Sequence, residues 1–297
     1  MAGAVRNGNA AMSSSTSSVD DSTNGEIQYH TDGTSFQVVD TKTETHHTFN
    51  VGYNDDIIRT TVTPEASIVD EWIEDLYASI EEFPEEGLVV GLDIEWVRLQ
   101  ETSQRNKIDV LQLCFDKQCL IFQFFGCDKV SEKLGNFLSD SRIVFVGSGI
   151  DKDARKLFVD YDLFVARSED LGPLADYKLG RKNLYKKNLK VLVEEVLGEK
   201  LPKYGAITLS RWDIGDKYDK GHLRKEQVMH ACLDAYASFR VGMDLIHRPD
   251  PSKREFSYSN KDFKKLPQET NQGTKATNQG QGARDASSQG QGARDAS

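Results

Sequence analysis

The chain has 297 residues, with 37 Lys and Arg against 47 Asp and Glu, a formal net charge of −10 and 38% hydrophobic residues. That balance describes a globular protein and excludes one that coats nucleic acid by bulk positive charge. No run of about 18 apolar residues is present, so no membrane-spanning helix is expected.

Residues 1–25 are rich in Ser, Thr, Asn, Gly and Ala. They carry too little apolar surface to offset ordering entropy, and hold no apolar secretory core, so a disordered segment without a leader is expected. His46–Tyr53 and Ile57–Thr63 are β-forming runs around Asn54-Asp55-Asp56, which predicts a hairpin. Thr63 then reads as the N-cap of a helix with Pro64 at its first position. Val69, Trp72, Ile73, Leu76 and Ile80 supply its buried face, and Pro84 and Gly87 end it. Leu88–Trp96 is a dense β-branched run, predicted as a central strand. Ile108–Phe115 and Cys119–Phe125 predict two antiparallel neighbours.

Val130–Leu138 follows as a short helix and Ile143–Val146 as an apolar strand, broken by Gly147-Ser148-Gly149. The next helix is expected to begin near Asp151, with that residue as its cap. Helices over Asn188–Leu197 and from about Arg224 to Ile246 complete the order. This alternation implies an α/β fold, one mixed sheet flanked by helices. From Pro251 the chain turns polar, and the string QGQGARDAS occurs at Gln279–Ser287 and again at Gln289–Ser297, so 251–297 is expected to be a flexible tail. The domain between the ends is placed at 26–250. Cys114, Cys119, Cys127 and Cys232 form no C-x-x-C pair and are expected to be buried thiols in a reducing compartment, in the cytoplasm or nucleus.

Two carboxylates, Asp93 and Glu95, stand two apart in the central strand and therefore project from one face. Paired acids inside a sheet are costly unless a cation lies between them, and hard oxygen donors favour magnesium or manganese. Asp153, one turn into the following helix, is in reach of the same site. His230 and Asp234 share a face of the last helix, four residues apart beside Ala231 and Ala235. Four acids drawn from separate segments suit a pair of divalent cations acting on a phosphodiester, with an imidazole nearby to orient or deprotonate water.

GLDIEW, GSGIDKDARKL, SRW at Ser210–Trp212 and HACLDAYASF at His230–Phe239 together resemble the 3′–5′ exonuclease superfamily with a D-E-D-D carboxylate set, in particular ribonuclease D and the Werner-syndrome-type exonuclease domain. The resemblance spans residues 57–246. It implies a ribonuclease-H-like fold and stepwise removal of nucleoside monophosphates from a single-stranded RNA or DNA 3′ end. It also implies two Mg2+ or Mn2+ ions on Asp93, Glu95, Asp153 and Asp234, and admits a homo-oligomer or protein partner.

One departure stands out. The tyrosine branch of the superfamily places Tyr four positions before the last Asp, where this chain has His230; the histidine branch places His five before, where this chain has Met229. Two readings follow, a working enzyme with imidazole in the phenol's place, and a weakened nucleic-acid-binding pseudo-exonuclease. The basic stretch Lys178, Arg181, Lys182, Lys186, Lys187 and Lys190, with Tyr177 and Tyr185 interleaved, is a candidate strand-binding surface, with Lys182, Lys186 and Lys187 as phosphate contacts. Trp96, just after the first motif, and Trp212 are candidates for lining the strand-end pocket and contacting nucleic acid, with core packing as the other reading.

Overall fold

The computed structural model describes residues 25–253 apart from 41, 42, 44, 98–105, 203–206, 208, 209 and 214–222. The segments expected to be disordered, 1–25 and 251–297, lie outside these residues except for Gly25 and the single 3-10 turn Pro251–Lys253.

Among the described residues, nine strands form one mixed sheet. They are β1 (Gln28–Tyr29), β2 (Thr34–Asp40), β3 (His47–Tyr53), β4 (Asp56–Thr63), β5 (Leu88–Glu95), β6 (Val110–Phe115), β7 (Gln118–Gln123), β8 (Ile143–Gly147) and β9 (Ser168–Asp170). Their order is β1-β2-β3-β4-β7-β6-β5-β8-β9, with β4 parallel to β7, and β5, β8 and β9 mutually parallel. The other neighbours are antiparallel. The mixed sheet and flanking helices match the fold class expected from the sequence.

Helices α1 (Ala66–Ser79), α2 (Glu132–Leu138) and α3 (Ile150–Tyr161) share one core with one face of the sheet. Helices α4 (Leu171–Leu179), α5 (Leu189–Leu197) and α6 (Lys225–His247) share the other. Alternation in β5 divides its side chains between them: Leu88, Val90, Leu92 and Ile94 enter the first core. Val89, Gly91, Asp93 and Glu95 therefore face α6. With 23 residues, α6 is about 35 Å long, and small or apolar side chains bury it on nearly every side.

Several local expectations are corrected. Thr63 ends β4 rather than capping α1; its Oγ1 donates to the Thr45 carbonyl and accepts from Glu65 N–H, and Glu65 is the N-cap residue. Pro64 thus lies before the helix, in the extended bridge that X-Pro sequences favour. Asp151 does not cap α3. The helix starts one residue earlier behind Gly149, whose φ of +80° needs no side chain. Strands β1 and β2 extend the hairpin into a four-strand meander, and β9 leads straight into α4, capped by the Asp170 side chain on Gly172 N–H. Cys114, Cys119 and Cys232 are buried and Cys127 half-buried, all as free thiols.

Candidate active site

Three close approaches bring α3 and α6 onto the strand that carries Asp93 and Glu95. A β-carbon on Gly91 would stand 2.0 Å from the Ala235 carbonyl oxygen. One on Gly147 would stand 2.6 Å from the Leu92 carbonyl, and one on Gly242 2.6 Å from Val146 Cγ2. Glycine at these points lets α6 lie directly on β5 and β8, and lets the chain turn from β8 into α3 against the edge of β5.

The five polar side chains named from the sequence come within electrostatic reach of one another as a result. His230 Nε2 is 3.2 Å from Glu95 Oε1, and its Nδ1 is 3.6 Å from Asp234 Oδ2. The imidazole is buried and ties β5 to the face of α6. Asp153, also buried, comes in from the first turn of α3. The Asp93 carboxyl is held well above the usual carboxylate range, first by its burial and then by the charges of Asp153, Asp234 and Glu95. Burial, with Glu95 and Asp170 behind it, pushes Asp153 up to about 7, against the pull of Lys152. Burial raises Asp234 to about 6, with His230 opposing the shift and Glu95 adding to it. For His230, burial disfavours the charged ring, but the Glu95 hydrogen bond and the Asp234 and Glu95 charges outweigh it and raise its pKa.

Burial is the first cause of the carboxyl shifts, and the crowding of neighbouring carboxylates with little positive charge adds to it. Among the described residues, no three His, Cys, Asp or Glu side chains meet on a common point as in a finished metal cage. The donor set still fits hard divalent cations, because carboxylate oxygens are their preferred ligands and a cation is the group that would offset the mutual repulsion.

A segment unread as structure completes the surroundings. Gln227 of α6, fully buried, donates through Nε2 to Ser210 Oγ and to the Arg211 carbonyl, both at 3.1 Å. That anchor lays Trp212, also fully buried, beside the His230 ring at a centroid distance of 6.1 Å. Asp170 was missed by sequence reading. Nothing in the local pattern marks it, and only the parallel pairing of β9 with β8 brings it near Asp153. Trp96 is placed away from the acids: it packs against the core on the opposite face of the sheet, with Lys156 Nζ 5.1 Å from its ring centre.

The basic stretch divides. Lys178 donates to the Ile246 and Arg248 carbonyls and Arg181 pairs with Glu195, so both serve the fold. Lys182, Lys186 and Lys187 are exposed on the loop between α4 and α5 and have no acidic partner among the described residues. The Lys187 carbonyl lies 3.5 Å from Ser148 Oγ, so this loop touches the turn from which α3 carries Asp153.

A model of the 3′–5′ exonuclease family matches residues 61–247. The chain belongs to this family. The exonuclease domain is 34% identical over 163 residues to a 3′–5′ exonuclease of Arabidopsis thaliana, covering 54% of each chain. It is 29% identical over 169 residues to the bifunctional 3′–5′ exonuclease/ATP-dependent helicase WRN of Mus musculus, covering 57% of this chain and 12% of that one. The chain thus spans about half of the first relative and a small part of the second. Among solved structures, RNase D of Escherichia coli superposes with a TM-score of 0.51 at 18% identity, over 62% of this chain and 44% of that one, a likeness of fold. No helix among the described residues is long and apolar enough to cross a membrane.

Proposed function

We propose that the chain hydrolyses phosphodiester bonds from the 3′ end of single-stranded nucleic acid, in a domain spanning 26–250. The observation that carries this reading is the gathering of Asp93 and Glu95 from β5, Asp153 from α3 and Asp234 from α6 into one largely buried, mutually repelling cluster within the span matched by the exonuclease family. These four would hold a pair of Mg2+ or Mn2+ ions, which when bound supply charge for the scissile phosphate and a more acidic water.

The chain's own residues do the remaining work. His230 bridges Glu95 and Asp234, joining β5 to α6, and its imidazole is a group able to exchange a proton with a water held at the acids. Trp212 and the Gln227 anchor close the region behind the ring and keep bulk water from it. Lys182, Lys186 and Lys187 supply local positive charge to a chain that is acidic overall, drawing phosphates toward the turn at Ser148.

A second reading has its own observation. His230 is only 7% exposed and already engaged by two acids, an arrangement that suits a locked strut as well as a proton acceptor. Single-stranded RNA and DNA labelled at the 3′ or the 5′ end separate the two. Divalent-dependent shortening from the 3′ end by the wild type, abolished by Asp93→Asn, supports the exonuclease. Binding without shortening by the wild type supports the pseudo-enzyme, and recovered cutting in His230→Tyr would assign the defect to the imidazole.

A further inference from the structure

Gln112, in the middle of β6, is fully buried, and neither its Nε2 nor its Oε1 has a hydrogen-bond partner among the described residues. A buried amide left in this way is destabilising, whereas an apolar side chain of the same shape is not. Its surroundings ask for the apolar choice. Leu111 and Leu113 on either side enter one core, and Val110 and Cys114 on its own face enter the other. No contact in the fold accounts for the amide.

Register supplies the reason. Gln112 is paired directly with Asp93 across the β5–β6 ladder. Paired residues on adjacent strands show the same face, with β-carbons about 4.5–5.5 Å apart. The amide therefore stands beside the Asp93 carboxyl, on the α6 side of the sheet. An ionised carboxylate is purely an acceptor and offers two oxygens. Were one Asp93 oxygen to hold a cation, the other would need a donor from the protein, and the side chain opposite carries two N–H groups.

We infer that Gln112 is a positioning residue for Asp93: its Nε2–H would donate to an Asp93 carboxylate oxygen and fix the rotamer in which Asp93 would hold a cation. This assignment rests on the divalent-cation reading above. Outer partners of this kind orient ligating carboxylates, and their loss typically weakens metal binding about 10- to 100-fold.

The test is a thermal-shift titration of the full chain with Mn2+ and with Mg2+, comparing the wild type, Gln112→Met and Asp93→Asn. Methionine keeps the volume and removes both polar atoms. The expected result is a Gln112→Met protein whose cation-free Tm equals or exceeds that of the wild type, but whose Mn2+ midpoint is at least about tenfold higher. Equal midpoints in wild type and Gln112→Met, beside a lost response in Asp93→Asn, would overturn the role of Gln112 and leave the cation reading standing. No response in the wild type itself would overturn both. Should Gln112→Met fail to fold, Gln112→Leu carries the same comparison, and collapse of both would make the residue structural and end the proposal.

Discussion

The Ala235 carbonyl oxygen lies 2.0 Å from where a β-carbon on Gly91 would stand. Gly91 precedes Asp93 by two residues and Ala235 follows Asp234 by one, so this single contact sets the separation of two acids of the site. Gly91→Ala forces the α6 backbone off the sheet, since no flexible side chain is there to yield. The expected loss is about 3 kcal/mol, at the upper end for overpacking, read as a lower Tm and denaturant midpoint. Gly135→Ala is the matched control. Its added carbon meets only Leu163 Cδ2, at 3.8 Å, inside helix α2, and a gain of about 0.5–1 kcal/mol is expected. Equal behaviour of the two variants would show that α6 does not rest on Gly91.

Removing a charge from the cluster separates stability from activity. Asp93 is raised by its burial and by three neighbouring acids, so Asp93→Asn relieves repulsion in the cation-free protein. A gain of about 1–2 kcal/mol in unfolding free energy is expected, together with complete loss of divalent-dependent cleavage. Chemical denaturation in a chelating buffer checks the first half. A lower stability would mean that the four acids already have adequate partners within the protein.

The strands and helices nearest the site were legible because their patterns are strong. The dense apolar run of β5, the Gly147-Ser148-Gly149 break and the i, i+4 pair His230 and Asp234 each carry their own signal. What stayed hidden depended on pairing. Ser168–Asp170 is only three residues long, too short to show alternation, and becomes a strand because β8 offers it a parallel edge. Thr63 and Pro64 obey a helix-start pattern, yet Thr63 is claimed by β4 and hydrogen-bonds back to Thr45, so tertiary pairing overrides a local preference. Gln112 is one polar letter in an apolar strand, and it acquires meaning only when the ladder sets it against Asp93. Trp96 shows the converse. Adjacency to Glu95 suggested the site, while the period of two turned it to the far face.

Asp109 should make stability depend on pH near neutrality. Its burial holds the carboxyl up at about 6, with Asp213 adding to the shift and the Val97 N–H, Lys156 and Arg211 opposing it. A carboxyl raised in the folded state binds its proton more tightly there than in the unfolded chain, so its contribution is greatest in acid and is lost as pH rises through about 6. Asp109 is partly exposed, and solvent screening limits the effect to about 1 kcal/mol. Asp109→Asn keeps an acceptor for Val97 and removes the titration. The variant is expected to gain more stability over the wild type at pH 7.5 than at pH 4.5. A difference that does not change between these two pH values would remove Asp109 as the cause.

The loop between α4 and α5 is held in shape by Asp176, whose carboxylate accepts from Leu184 N–H at 2.7 Å and Tyr185 N–H at 3.1 Å. Gly172 lies beneath it, leaving no room for a β-carbon, which would stand 2.5 Å from the Tyr185 carbonyl. Tyr185 is 59% exposed, with Lys186 Nζ over its ring at 6.0 Å from the centre, and an exposed aromatic beside a cation is the kind of group on which a base can stack. Binding of a single strand should weaken by about 1–3 kcal/mol in Tyr185→Ala. Lys186→Glu and Lys187→Glu should each lower the slope of log affinity against log salt by about 0.7. Asp176→Ala tests shape against charge, because the two effects have opposite signs. Removing a negative charge from beside a cationic loop would strengthen binding if the loop acted by its field alone. Releasing the Leu184 and Tyr185 amides would weaken binding if strand recognition needs the loop as Asp176 holds it, and weaker binding is the expected result.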